Sequence, residues 1–255
     1  MKVELVLAIL LVTIAGLSTV IGSFIVFLSK NKRHENLGFL LGIAAGIILC
    51  ICFNELLPEA QELLFENFKY NIALVILIAS LLIGLVLSFI LDKLMHHHDD
   101  EADHDEHCKM CNVGITAAFT MALHKLPEGM AIFIAIYDNY KVAIPFALAI
   151  AVHHIPEGMI ISAPIYYATG SKKKALLYSI TSGLVLPIAG LLGFLFLKPF
   201  FNGITEGILL ALTCSIMFYL AFKEIIPASL KYGNKKTTVF AVMIGIIFMY
   251  LVHLI

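Results

Sequence analysis

The chain has 255 residues, 60% of them hydrophobic and 14% charged, with a formal net charge of −1 and a mean hydropathy of +0.96. A soluble domain of this length could not bury so much apolar surface, so soluble enzymes and binding modules are excluded and the chain is expected to be an all-α polytopic membrane protein. The near-zero net charge says nothing of partners beyond the lipid bilayer, and no nucleic acid is expected.

Eight apolar segments follow one another: 3–29, 37–57, 72–94, 113–137, 142–168, 175–197, 204–230 and 237–254. Each is near or above the roughly 20 residues a helix needs to span the hydrocarbon. They are long continuous runs, whereas a β-barrel would show short alternating ones. The first is too long for a signal-peptide core and is expected to be retained. Lys and Arg are unevenly placed: eleven of the 17 fall in the four odd-to-even connections or, for Lys93, at a segment end beside one, four on the opposite side, and Lys125 and Lys223 within segments. The positive-inside rule then puts those connections in the cytoplasm and both termini outside a cell (plasma) membrane.

The second segment ends in FNELLPEA (Phe53–Ala60) and the seventh in FKEIIPAS (Phe222–Ser229). Under this alternation the two copies run in opposite directions, as inverted-topology repeats do. The expected architecture is a 3+2+3 inverted-repeat arrangement of eight transmembrane helices, forming a single transport domain over residues 1–255. Asn54, Glu55 and Glu224, within or beside the repeated stretches, are candidate pathway or secondary metal residues. Between the third and fourth segments lies a His/Asp-rich tract, 95–112, predicted to be a flexible cytoplasmic metal-binding loop. Its candidate ligands are His96, His97, His98, His104, His107, Cys108 and Cys111. Cys50, Cys52 and Cys214 sit in apolar runs and are expected to pack. No disulfide framework is implied.

The fourth and fifth segments carry the same polar insert, MALHKLPEGMA (Met121–Ala131) and AVHHIPEGMI (Ala151–Ile160). His124 and Glu128, like His153 and Glu157, are four apart and share a helix face. Pro127 and Pro156 remove the hydrogen bonds to the carbonyls of Leu123 and Val152 and bend the helices there. Ionisable side chains at bilayer depth are costly and usually line an ion path. Nitrogen and oxygen ligands from two crossing helices suit a divalent transition metal, zinc above all. Buried helices with tolerated polar residues are the bland alternative, and two inserts in one register weigh against it.

These HxxPEG inserts, the His-rich tract and the outside termini resemble the ZIP family of zinc and iron permeases, and the LLPEA ending resembles its prokaryotic zinc-uptake members. The resemblance implies import of Zn2+ into the cytoplasm, with Fe2+, Mn2+ and Cd2+ as further substrates, and a homodimer. It assigns the metal to His124, Glu128, His153 and Glu157, with zinc as transported substrate and no cofactor. Two departures bear on the second metal position of many members. Lys125 stands where Asn is usual, and SGLVLP (Ser182–Pro187) places Leu186 where those members carry Glu. His154 keeps a possible ligand for that position but loses these partners. Lys125, three residues before Glu128, is therefore expected to supply the charge of a second metal and to pair with Glu128, Glu157 or both. An intramembrane metal-dependent hydrolase is the alternative; against it, the chain has no HExxH or GxSxG motif. A metal sensor would need a signalling domain, and no soluble segment is long enough.

Overall fold

The computed structural model describes residues 2–28, 34–96, 106–138, 143–196, 198–200 and 202–253. No strand occurs among them. In chain order the helices are α1 (Lys2–Leu17), α2 (Thr19–Leu28), α3 (His34–Ile51), α4 (Leu57–Asn67), α5 (Tyr70–His96), α6 (Glu106–Asp138), α7 (Ala143–Thr169), α8 (Lys172–Phe196), α9 (Gly203–Leu220), α10 (Ile226–Tyr232) and α11 (Lys235–His253). A 3₁₀ turn covers Lys198–Phe200, and π-helical segments join α3 to α4 (Cys52–Leu56) and α9 to α10 (Ala221–Ile225). The continuous apolar runs account for the helices. Asn202 caps α9 by accepting from the amides of Ile204 and Thr205. Gly170, at φ 70°, ends α7 in the left-handed region that favours glycine.

Among the described residues, seven helical stretches are long and apolar enough to cross a membrane. The remaining expected segment, α6, is a 33-residue helix, and His124, Lys125 and Glu128 dilute its apolarity. The first expected segment is two helices rather than one. Ser18 turns its hydroxyl to the carbonyls of Ala15 and Ala151, both at 2.7 Å, and the α-helical ladder breaks there. The tract at 95–112 is partly helical: α5 runs to His96 and α6 begins at Glu106. His97, His98 and His104 lie outside the described residues.

Each π segment has a visible cause in the repeated sequence. Pro58 and Pro227 lack an amide hydrogen, and their rings clash with the carbonyls of Asn54 and Lys223 four residues earlier. The preceding turn widens instead, closed by the amide of Leu57 on the Cys52 carbonyl and of Ile226 on the Ala221 carbonyl.

The packing has a paired pattern. α3 lies against α11 and α7, while α9 lies against α5 and α6; α6 packs on α8 as α1 and α2 pack on α7. Glycines allow the closest approaches. A Cβ on Gly16 would overlap the Gly183 carbonyl oxygen, and one on Gly183 would come equally close to the carbonyl of Gly16. A Cβ on Gly129 would strike the Leu186 carbonyl, and one on Gly158 the Thr19 carbonyl. Of those seven stretches, α3 with α4 is the most enclosed, with 67% of its apolar window buried, against 22% for α11. Apolar side chains such as Val75, Ile83, Phe89 and Phe240 face outward, as lipid contact requires.

Candidate metal centre

Close glycine packing brings α6 and α7 against α8 and α1–α2 and leaves their polar inserts at the centre. His124, Lys125, His154 and Glu157 are all buried. His124 Nε2 stands 3.2 Å from Glu157 Oε1 and 3.4 Å from Glu128 Oε2. His154 Nε2 stands 3.4 Å from the same Glu128 oxygen and 3.8 Å from Glu157 Oε2. Ligand atoms of His124, Glu128 and Glu157 all lie within 4.8 Å of one another.

His154 Nδ1 is 2.8 Å from the Ile150 carbonyl. A carbonyl only accepts, so Nδ1 carries a proton; a metal-binding, neutral ring would then turn the lone pair of Nε2 toward the carboxylates. That Nε2 and Glu128 Oε2 are both buried without a hydrogen-bond partner. Two electron-rich atoms facing each other in a dry interior are unfavourable unless a cation stands between them. The spacings of 3.2 and 3.4 Å match the edge of a tetrahedral zinc shell, about 3.3 Å for metal–ligand bonds of about 2.0 Å.

Lys125 is fully buried and its ammonium forms an ion pair with Glu157 Oε2. Glu157 thus divides its oxygens, Oε1 toward His124 and Oε2 held by the lysine. Of the two partners expected for Lys125, the structure selects Glu157. Leu186 is completely buried and adds no charge.

His153 takes its nearest carboxylate from another helix. Its Nε2 is 2.9 Å from Glu55 Oε2 and 3.1 Å from Oε1, outside the trio of His124, Glu128 and Glu157. It still lines the same cavity, a space of about 30 Å³ shared with Ile51, Leu56, Thr213 and Met217, room for roughly one water or a bare ion. Sequence spacing cannot choose between His153 and His154, because i+3 and i+4 are both within reach of Glu157. Thr213 and Met217 carried no sequence signal, lying in an uninterrupted apolar run. Asn54 donates to Cys50 Sγ at 3.1 Å, and Glu224 is half-buried within the second π segment. Neither is among the described residues that line the cavity. Of the tract residues, His96 ends α5, His107 and Cys108 fall in the first turn of α6, and Cys111 is half-buried on that helix.

The sequence profile of the ZIP zinc transporter family matches residues 96–253. The chain belongs to the ZIP family. It is 36% identical over 256 residues to the zinc transporter ZupT of Streptococcus mutans, covering 98% of this chain and 97% of that one. It is 35% identical to ZupT of Clostridium perfringens over 95% of this chain and 93% of the relative. ZupT of Campylobacter jejuni is 34% identical, over 96% and 95% respectively. ZIP membership leaves the hydrolase alternative without support, and the buried His and Glu cluster falls within the matched region.

Proposed function

We propose that the protein imports Zn2+ into the cytoplasm through a single intramembrane site built by His124, Glu128 and Glu157, with His154 as fourth ligand. The observation that carries the reading is the buried pair of electron-rich atoms, Glu128 Oε2 and His154 Nε2, facing each other at 3.4 Å. Fe2+, Mn2+ and Cd2+ accept the same ligands and are secondary substrates. Zinc uptake into proteoliposomes tests the reading: wild-type protein carries flux, and absence of metal-dependent flux from folded, correctly inserted protein overturns it.

In this reading Lys125 takes the charge of a second metal. Two carboxylates against one ammonium and one divalent ion leave one positive charge in the site, where a second divalent ion in place of the lysine would leave two, and the lysine holds the Glu157 oxygen that a second ion would need. Eight spans in an inverted 3+2+3 arrangement belong to the same proposal. The two matching π segments, the paired helix contacts and the reciprocal approach of Gly16 and Gly183 support it. The uneven lysine distribution supports extracytoplasmic termini in the plasma membrane. The homodimer rests on family membership, and mass measurement of the intact protein in nanodiscs distinguishes one chain from two.

A further inference from the structure

We infer that Glu55 and Glu224 are alternating partners of the two motif histidines: Glu55 holds His153 in the state seen here, and Glu224 takes His124 in the oppositely facing state. The inference rests on the transport reading and deepens it by naming what changes between the two states.

The argument begins with register. Residues 52–56 and 221–225 are the two π segments, and FNELLPEA and FKEIIPAS align within them without a gap. Glu55 and Glu224 are therefore the fourth residue of each, one turn ahead of Pro58 and Pro227. The two inserts align with the same certainty, His124 on His153 and Glu128 on Glu157. The packing exchanges these elements in pairs. The helix that leads into the Glu55 segment, α3, packs on α7, which carries His153; the helix that leads into the Glu224 segment, α9, packs on α6, which carries His124. The glycine contacts obey the same exchange. Gly16 meets Gly183, and three residues later along each helix Thr19 meets Gly158 and Leu186 meets Gly129.

The side chains break this exchange. His153 pairs with Glu55, at 2.9 Å, whereas His124 lies on Glu128 and Glu157 at 3.4 and 3.2 Å. An inverted repeat whose halves differ in this way has a second state with the differences interchanged. In that state Glu224 holds His124 while His153 returns to Glu157. While Glu55 occupies His153 Nε2, that nitrogen is closed to metal, so each carboxylate withdraws one imidazole from the site and releases the other. The π segments suit this motion, because their wide turns carry weaker hydrogen bonds than α-helix.

Hydrogen–deuterium exchange on the full chain in nanodiscs, without metal, reads the two states directly. Glu55→Gln weakens the pairing seen here and should speed amide exchange at 52–57 while slowing it at 221–226. Glu224→Gln should do the reverse. Each change is expected to be about five-fold, the effect of weakening one charge-assisted hydrogen bond to a neutral one. His153→Gln and His124→Gln should reproduce the patterns of Glu55→Gln and Glu224→Gln respectively. If a glutamate variant fails to fold, the histidine variant of the same pair provides the comparison. Changes of the same sign for the two members of the repeat, or no change at either segment, overturn the inference. Zinc flux by the wild type is scored separately: opposed shifts without flux refute transport and leave the pairing standing, and flux without opposed shifts refutes the pairing.

Discussion

At the residue scale the decisive group is Glu157, whose two oxygens take different partners. Oε1 lies 3.2 Å from His124, while Oε2 is tied to Lys125. Lys125→Met leaves that carboxylate buried without its partner, which costs about 3–5 kcal/mol. The variant should melt well below wild type in chelator and regain most of the loss in zinc, and a thermal shift assay with and without metal checks this. Native mass spectrometry should count one ion in the transport site of the wild type. Lys125→Asn combined with Leu186→Glu should admit a second. Two equally occupied ions in the wild type would overturn the lysine's role. Alanine at His124, Glu128, His154 or Glu157 should lower zinc flux at least about tenfold, since each removes a ligand; a variant with normal flux and only a changed melting temperature would mark that residue as structural.

At the element scale, glycine sets how closely the helices meet and hence where the ligands stand. Gly158 faces the Thr19 backbone so closely that any Cβ would overlap the Thr19 carbonyl. Backbone cannot move aside as a flexible side chain can, so Gly158→Val should cost about 1–3 kcal/mol or more. It should also depress flux by shifting Glu157, one residue earlier on α7. Thermal unfolding beside flux checks both effects, and an unchanged melting temperature would refute the packing argument. The His-rich tract makes the opposite case. Its ends extend α5 and α6, and none of its described residues lines the cavity, so replacing His97, His98 and His104 by alanine should leave transport in place and remove only zinc binding by the tract. Equilibrium dialysis alongside uptake separates the two; loss of flux in the folded variant would put the tract on the path.

At the scale of the whole molecule, a site of imidazoles and carboxylates binds metal only when those ligands are deprotonated. Protons compete for the same lone pairs, so uptake should weaken as the outside pH falls, with apparent affinity dropping several-fold between about pH 7.5 and about pH 5.5. Zinc titrations of flux at the two pH values check the sign; tighter binding at acid pH would contradict a His and Glu site. The surrounding fold buries His124, His154 and Glu157 and leaves Glu128 half-buried. The cluster is enclosed by α3, α8 and α9, while α5 and α11 present Ile83, Phe89 and Phe240 outward.

Much of this was written in the order of residues. Long continuous apolar runs favour helices in a membrane because a helix satisfies its backbone within the segment, and a repeated HxxPEG places an imidazole and a carboxylate on one face of each of two helices. The double FNELLPEA and FKEIIPAS stretch carried its π segments implicitly, through the carbonyl clash of Pro58 and Pro227. Tertiary structure decided the rest. Spacing along one helix leaves His153 and His154 both in reach of Glu157, and only the placement of Glu55, 98 residues away in sequence, draws His153 aside and leaves His154 facing Glu128. The break at Ser18 depends likewise on the Ala151 carbonyl of another helix. Local sequence fixes which groups a helix carries on each face, but which partner each of two neighbouring groups takes depends on charges brought by distant helices.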